Sequence, residues 1–232
     1  MTHRGRREAA AAPRLPRPTS LREVQPVSPR NAAPNKARVR HSPDVRQALI
    51  VKAAQDVIVE RGMRAASARN ISEACGISPG LLTYHFPSMD DLLVEALRTA
   101  SASFTAQLVS STSHLESASE RLEGLLVGSL PITAQGRRNW ILWIEYWARA
   151  AHHAELAELH SVNYAEWRKI FHDVIASGIE SGEFRDVDPR AAALQAVGLL
   201  DGIGMQATIG DRNIDPETAQ SVLLGFVRSL RS

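Results

Sequence analysis

Four side chains in the segment 78–85 have the chemistry to contact a nucleic acid, namely Ser78, Leu81, Tyr84 and His85. In a helix, spacing of i, i+3, i+6 and i+7 places them on one outward face. Hydroxyl groups can bind phosphates, an apolar side chain can contact a thymine methyl, and an imidazole can bond to a base edge or a phosphate. The pattern predicts a helix that reads the major groove of DNA. The alternative is the ordinary solvent face of a structural helical hairpin.

The residues around this face have the features of a helix-turn-helix. Ser67 and Ser78-Pro79 are typical helix starts, because a serine hydroxyl caps the first turn and proline suits the first helical position. Gly76 suits a turn that needs a positive φ, and Leu82 is placed to hold the second helix against the first. Two such short helices need a third behind them, which 43–61 supplies. We expect the internal core to consist of Ile71, Ala74, Ile77, Leu82 and Phe86.

A second group of residues has the chemistry to bind a small molecule. Trp140, Trp143 and Trp147 are spaced i, i+3 and i+7, so their indoles share one helix face, and the next long helix repeats the aromatic pattern. An aromatic stripe is often plain core packing. The alternative is a pocket between helices, where a carboxylate such as Glu145 beside the indoles would suit a cationic ligand. The predicted ligand-binding residues are Trp140, Trp143, Tyr146, Trp147, Trp167 and Phe171.

The sequence has no pattern typical of a catalytic, metal or cofactor site. A group of histidines and acids between 152 and 160 contains neither Glu-x-x-His nor His-x-x-x-His, the ligand pairs typical of a helical metal site, so we interpret it as a charged helix junction. There is no phosphate-binding Walker loop. We therefore expect no catalytic residues, no metal and no cofactor. The residues of that junction are His152, His153, Glu155, Glu158 and His160.

The chain after residue 42 predicts an all-α fold, since it has long helical periodicity and no hairpin signal between alternating strands. The segment 189–209 is apolar on nearly all sides, and 216–230 has an apolar stripe. Such helices must be covered on all sides, either by a second copy of the chain or by burial within one copy. The predicted helices span 43–61, 67–76, 78–86, a segment from Ser88 to about 110, 115–129, 135–152, 154–181, 189–209 and 216–230.

Charge divides the chain into two parts. Residues 1–43 have a net charge of +8, whereas the remaining 189 residues have −6. We expect 1–41, rich in proline and arginine, to be a disordered basic arm. Because residues 44–103 have a net charge of −1, the arm is a candidate for DNA contact. The alternative is a passive solubilising tail.

The location of the chain is predicted from three sequence features. The single cysteine, Cys75, excludes an intrachain disulfide and fits a reducing compartment. No apolar run is long enough for a membrane span, and the basic N-terminus does not lead into a secretory signal. We expect a cytoplasmic protein that does not bind a membrane.

Several short motifs between residues 45 and 97 together carry a family resemblance. They are Ala53-Ala54, Glu60-Arg61-Gly62, Ser67 with Arg69-Asn70-Ile71, Ala74-Cys75-Gly76-Ile77-Ser78, Gly80, Tyr84-His85-Phe86-Pro87-Ser88 and Asp91-Leu92-Leu93. They resemble the DNA-binding domain of the TetR family of one-component repressors. Two positions depart from the family pattern. Thr83 stands where the family usually has tyrosine, and Met89 stands where it usually has a phosphate-contacting lysine.

The resemblance continues downstream, more weakly. The motifs are Trp140…Trp143…Trp147, Tyr164…Trp167, Gly178…Gly182-Glu183-Phe184, Asp188-Pro189…Ala192 and Leu200-Asp201-Gly202. They are similar to the ligand-binding domain of members related to the choline/betaine-operon repressor. The resemblance implies a helix-turn-helix domain at 42–88 and a ligand-binding and dimerisation bundle at 89–232. It also implies a homodimer on a near-palindromic double-stranded DNA operator.

The sequence thus predicts a DNA-binding transcriptional regulator, a repressor that a small-molecule effector of unknown identity releases, and not an enzyme. Two alternatives remain: an all-α small-molecule-binding enzyme, or a protein–protein adaptor that has lost DNA binding. The adaptor alternative rests on Thr83, Met89 and the weak charge of residues 44–103. The predicted DNA-binding residues are Ser67, Arg69, Ser78, Pro79, Gly80, Leu81, Tyr84 and His85.

Overall fold

A computed structural model of the chain describes residues 42–232, so the predicted arm 1–41 lies outside the described residues. Within residues 42–232, nine α-helices carry the fold and the β-structure is one isolated bridge between Phe184 and Arg231. The all-α prediction is therefore confirmed. In the same part of the chain, no helix is sufficiently long and apolar to cross a membrane. The helices are α1 Pro43–Arg61, α2 Ala68–Cys75, α3 Pro79–His85, α4 Met89–Thr112, α5 Ala118–Gly128, α6 Ala134–Ala150, α7 Ala154–Glu180, α8 Pro189–Ile209 and α9 Pro216–Leu230.

Side-chain caps set most of the helix starts that the sequence predicts. The hydroxyls of Ser42, Ser67, Ser78 and Ser88 each accept a hydrogen bond from a backbone N–H in the first turn of α1 to α4. At the end of α2, Gly76 adopts the left-handed conformation, which glycine permits at little cost. Two details differ from the prediction. A 3₁₀ turn occupies Met63–Ala65, and α5 begins only at Ala118, where the Ser117 hydroxyl caps it.

The first four helices share one apolar core. It consists of Ile50, Val51, Ala53, Ala54 and Val57 of α1, Ile71 of α2, Leu82 of α3, Phe86, and Leu92 and Ala96 of α4. The prediction that Ala74 belongs to this core is wrong, because Ala74 is exposed while Ile71 and Ser72 form the buried face of α2. Ile77 is only partly buried against the core. The first half of α4 therefore packs as part of the helix-turn-helix unit.

The remaining helices form a larger core, built by α5, α7, α8 and α9 with Trp140 of α6. A smaller cluster joins it to the N-terminal helices. That cluster combines Ile58 of α1, Leu93 and Leu97 of α4, Leu142, Tyr146 and Ala150 of α6, and Leu156 of α7. Helix α6 thus packs against α1 and α4 on one side and against α7 and α8 on the other.

Candidate functional site

Helix α3 presents a solvent-facing surface at the positions that the sequence predicts. Tyr84 is 80% exposed, and its ring meets that of His85 edge to face with centroids 5.4 Å apart. Leu81 and His85 are half-buried. The structure thus brings these predicted DNA-binding residues to one side of the helix-turn-helix unit. The other exposed members are Ser67, Arg69, Ser78, Pro79 and Gly80.

The serines of this surface have a double role. Ser67 Oγ accepts a hydrogen bond from Asn70 N at 3.3 Å, and Ser78 Oγ accepts one from Leu81 N at 3.3 Å. Each oxygen is used by the helix cap, but each hydroxyl hydrogen is still available to donate. Both hydroxyls can therefore fix a helix start and also donate to a phosphate oxygen.

The predicted aromatic stripe lines an internal cavity of about 80 Å³ between α4, α6, α7 and α8. Its rings pack edge to face: the centroids of Trp140 and Trp143 are 5.5 Å apart, and those of Phe104 and Trp143 are 5.0 Å apart. Five of the six predicted ligand-binding residues line the cavity. The full lining is Ser101, Phe104, Thr105, Ser129, Trp140, Trp143, Tyr146, Trp147, His160, Asn163, Tyr164, Trp167, Leu200 and Asp201.

Phe171 is the exception, and its assignment to the ligand-binding set is wrong. Its side chain is fully buried in the larger core and does not line the cavity. One helical turn separates it from Trp167, whose ring it contacts with centroids 5.0 Å apart. Phe171 therefore supports the cavity wall from behind. Trp140 combines both roles, since it lines the cavity while its indole N–H donates to the carbonyl of Ser129 at 2.7 Å.

The carboxylate of the cavity comes from Asp201 on α8, not from Glu145. Glu145 lies close to Gly62 at the end of α1. Asp201 Oδ2 accepts a hydrogen bond from the Tyr164 hydroxyl at 3.0 Å. Burial raises the pKa of Asp201 to about 6, although the Tyr164 bond and the charge of Arg168 oppose the shift. Burial and the nearby Asp201 raise the pKa of Tyr164, so its hydroxyl keeps its proton. A single half-buried acid thus faces a wall of aromatic rings.

His160 also lies in this cavity, so our interpretation of it as part of a charged helix junction is wrong. Its ring centroid is 4.2 Å from that of Tyr164. Burial, together with the positive charge of Arg168, lowers the pKa of His160, so the imidazole is neutral at pH 7. Within residues 42–232, the structure gathers no group of three His, Cys, Asp or Glu side chains that could hold a metal.

Several cavity residues were not predicted from the sequence, and two of them carried a signal. Tyr164 lies one helical turn before Trp167, on the same face of α7. Asp201 is a half-buried acid within a helix that is otherwise apolar on nearly every side, and an acid in such surroundings is a candidate for function. Phe104 of α4 carried no such signal, because its place in the cavity depends on how α4 crosses α6.

Two ion pairs connect α6 to the N-terminal unit, by which we mean helices α1 to α4. Arg138 pairs with Asp56 of α1, and Arg149 pairs with Asp90 in the first turn of α4. In addition, the indole N–H of Trp143 donates to Ser101 Oγ of α4 at 3.3 Å. Helix α6, which lines the cavity, is therefore connected to α1 and α4, the two helices that pack against the helix-turn-helix.

One face of α8 exposes apolar and small residues to solvent. Leu194 is 60% exposed and Ile209 72% exposed, with Met205 between them at 39%. A Cβ atom added to Gly198 or Gly202 would meet no neighbouring atom within 4 Å. The face therefore has a shallow strip of glycine flanked by large apolar side chains, a form that permits close approach of another helix.

Two family models match the two parts of the chain. Residues 50–96 match the model of bacterial regulatory proteins of the tetR family. Residues 118–232 match the model of the C-terminal domain of BetI-type transcriptional repressors. The two matches cover the helix-turn-helix and most of the helical bundle.

Relatives with known names or structures agree with these matches. The HTH-type transcriptional regulator BetI of Klebsiella pneumoniae is 26% identical over 190 residues, which are 79% of this chain and 93% of that protein. The HTH-type transcriptional regulator PksA of Bacillus subtilis is 26% identical over 186 residues, 80% and 89% of the two chains. A transcriptional regulator from Saccharomonospora viridis, crystallised with choline, superposes with a TM-score of 0.77 at 27% identity, over 82% of this chain and 99% of that one. The chain thus belongs to the TetR family of transcriptional regulators, with a BetI-type C-terminal domain.

Proposed function

We propose that the protein is a DNA-binding repressor in which the exposed face of α3 reads the operator. The observation that supports this most is the 80% exposure of Tyr84 beside His85 on the second helix of a helix-turn-helix, because that helix enters the major groove and both side chains can hydrogen-bond there. Phosphate contacts come from the Ser67 and Ser78 hydroxyls and the Arg69 guanidinium. Because it acts on the chromosome, the protein works in the cytoplasm. The family assignment favours this function over the enzyme and adaptor alternatives.

The repressor acts as a homodimer formed through α8 and α9. Helix α8 exposes its apolar face and α9 exposes Val222 at 36%, and a second copy packed against both helices would remove these side chains from water. A two-fold dimer places two copies of α3 about 34 Å apart, one turn of DNA, over a near-palindromic site. Substituting Met205→Glu should therefore yield monomers in sedimentation velocity and weaken operator binding, whereas Met89→Glu on α4 should leave the dimer intact.

The effector is a small organic cation of the quaternary ammonium type. Aromatic faces attract such cations, and the attraction is strongest where water is excluded. The Asp201 carboxylate supplies the opposite charge, while the neutral state of His160 avoids repulsion. The choline bound by the Saccharomonospora viridis relative has this chemistry. Tetramethylammonium and choline are accordingly the first ligands to test.

The ligand releases the operator through linkage between two sites. A hundredfold loss of operator affinity requires a coupling free energy of about 2.7 kcal/mol, and DNA must weaken ligand binding by the same factor. Helix α6 is placed to carry this coupling, because it lines the cavity and also pairs with Asp56 and Asp90. A ligand that moves α6 changes the position of α1 and α4, and with them the spacing of the two α3 helices.

A gel-shift assay on the DNA upstream of the protein's own gene tests this function. We expect specific binding that Tyr84→Ala weakens by about 5- to 150-fold, or roughly 1–3 kcal/mol for a base-reading contact. Val162→Ala, an exposed apolar residue on α7, is the matched control and should leave binding unchanged. Choline should release the DNA in a dose-dependent way. Absence of specific binding at low salt would contradict the repressor function.

A further inference from the structure

The aromatic cavity is adjoined by a second, larger space. This space, which we term the alanine groove, has a volume of about 430 Å³. It shares four lining residues with the cavity, and its other walls come from the end of α6 and the start of α7. The shared residues are Trp147, His160, Tyr164 and Asp201, and the remaining ones are Ala150, Ala151 and Ala157.

The two spaces together are larger than one small cation needs. The aromatic cavity alone has about 80 Å³, whereas small-molecule sites in proteins span roughly 300–1,000 Å³. Cavity and groove together fall inside that range. A ligand that used only the aromatic cavity would leave the larger space without an occupant.

The walls of the alanine groove determine what could fill it. Apart from the four shared residues, every wall residue is an alanine, so the groove offers methyl groups and no additional charge or hydrogen-bonding side chain. Ala150 is buried whereas Ala151 and Ala157 are exposed, so the groove is open to solvent along one side. An alkyl chain gains free energy by covering such a surface, while a polar group finds no new bonding side chain there. Asp201 and the aromatic rings lie at the junction of the two spaces, where the charged end of a ligand belongs.

We propose that the natural effector is an elongated cation, whose quaternary ammonium end occupies the aromatic cavity and whose alkyl or acyl chain lies in the alanine groove. The proposal rests on the proposed function of the cavity as a cation site, and it adds the shape and apolar part of the ligand. Burial of each methylene contributes roughly 0.8 kcal/mol, which corresponds to about a fourfold gain in affinity per carbon. A four-carbon chain adds three methylenes to the one-carbon ion and, if the groove buries them fully, should bind about sixtyfold more tightly.

The test is a series of n-alkyltrimethylammonium ions with one to eight carbons in the variable chain. Each ion is titrated below its micelle concentration into the full-length protein, with tryptophan fluorescence and calorimetry as readouts. We expect affinity to rise with chain length and then level off when the groove is full. If the one-carbon ion binds and longer chains bind no better, the groove is closed to the ligand and this inference is wrong. If no ion of the series binds, the cation site itself is wrong.

A pair of matched variants tests whether the gain in affinity with chain length comes from the groove. Ala157→Leu places a larger side chain on the groove wall and should reduce the gain from chain length at least tenfold, with little effect on the one-carbon ion. Ala165→Leu makes the same change at an exposed position of α7 that lines neither space, and it should behave as wild type. Equal effects of both variants would show that the longer chains bind elsewhere.

Discussion

Gly204 of α8 lies directly against the indole ring of Trp140 of α6, so that a methyl group on Gly204 would overlap the six-membered part of the ring. The indole N–H of the same tryptophan bonds to the Ser129 carbonyl, which leaves the ring little freedom to move aside. The contact lets α8 approach α6 closely and brings Asp201, one helical turn earlier, to the aromatic cavity. The shape of the cavity therefore depends on the absence of a side chain at position 204.

We predict that Gly204→Ala lowers the free energy of unfolding by about 1–3 kcal/mol, the usual cost of excess volume in a packed core. Because Trp140 must shift, choline affinity should fall as well. Urea denaturation and fluorescence titration measure the two effects. Gly80→Ala is the control, since a Cβ atom there would meet nothing within 4 Å and alanine favours helix. Wild-type stability of Gly204→Ala would mean that the ring and α8 are not in close contact.

A second prediction concerns Asp201, whose pKa is raised to about 6 from an ordinary 3.8. In the unliganded protein, the folded state then binds a proton more readily than the unfolded state does. The contribution of Asp201 to the free energy of unfolding therefore rises as pH falls from 7 through 6 towards 3.8. Asp201→Asn removes the buried charge and should stabilise the unliganded protein at pH 7.5 by roughly 1–3 kcal/mol.

The same substitution should have the opposite effect on ligand binding. Without the carboxylate, we expect choline affinity at pH 7.5 to fall at least tenfold, and in wild type the affinity should decline as pH drops below 6. Adding Asn163→Asp to the Asp201→Asn protein places an acid elsewhere in the same lining. It tests whether a negative charge at another position of the cavity is sufficient for choline binding. A stability gain with unchanged choline affinity would show that Asp201 does not contact the cation.

A third prediction concerns the ion pairs between α6 and the N-terminal unit. Replacing both Arg138 and Arg149 with methionine keeps their apolar stems but removes the pairs with Asp56 and Asp90. We expect the coupling between choline and operator to fall by about 0.5–2 kcal/mol. Choline affinity of the DNA-free protein should stay within twofold of wild type. Gel shifts with and without choline measure this, and Arg212→Met, on the exposed turn after α8, is the control.

A fourth prediction concerns Glu183, which closes the bundle at the start of α5. Its carboxylate accepts hydrogen bonds from Ser117 Oγ at 2.6 Å and from the backbone N–H groups of Ala118 and Ser119. These bonds lower the pKa of Glu183 to about 2. Its stabilising contribution is therefore complete above the ordinary value of 4.5 and is lost as pH falls through about 2.

We expect Glu183→Gln to lower the free energy of unfolding at pH 7 by about 1 kcal/mol, because a charged acceptor at a helix start bonds more strongly than a neutral one. The difference from wild type should narrow below pH 4.5. Denaturant titrations at pH 7, 5 and 3.5 measure it. Glu180→Gln, an exposed neighbour on α7, should change little, and an equal loss there would assign the effect to net charge.

A fifth prediction concerns the basic segment 1–40, which supplies charge that residues 44–103 lack. If it binds the operator backbone, its deletion should lower DNA affinity and flatten the dependence of affinity on salt, by nearly one unit of slope per lost phosphate contact. Gel shifts between 50 and 200 mM salt provide the measurement. Unchanged affinity and slope would identify the segment as a passive tail.

Helix limits were predictable from the sequence because local chemistry sets them. Serine and aspartate caps, proline at first helical positions and Gly76 in a left-handed turn act within a few residues. The outward position of Tyr84 followed for the same reason, since the spacing on α3 leaves it no other side. By contrast, no proline or glycine marks the end of α6 at Ala150, and no side-chain cap marks the 3₁₀ turn Met63–Ala65.

The sequence by itself determined the helices, the exposed face of α3 and the aromatic character of α6, because each depends on residues within one or two turns of one another. Only the tertiary structure decided which carboxylate faces the indoles, that Phe171 supports the cavity without lining it, and that His160 lies beside Tyr164. These outcomes depend on how α4, α7 and α8 cross α6. Such crossings are set by close contacts like that between Gly204 and Trp140, which join residues more than sixty positions apart and leave no local pattern.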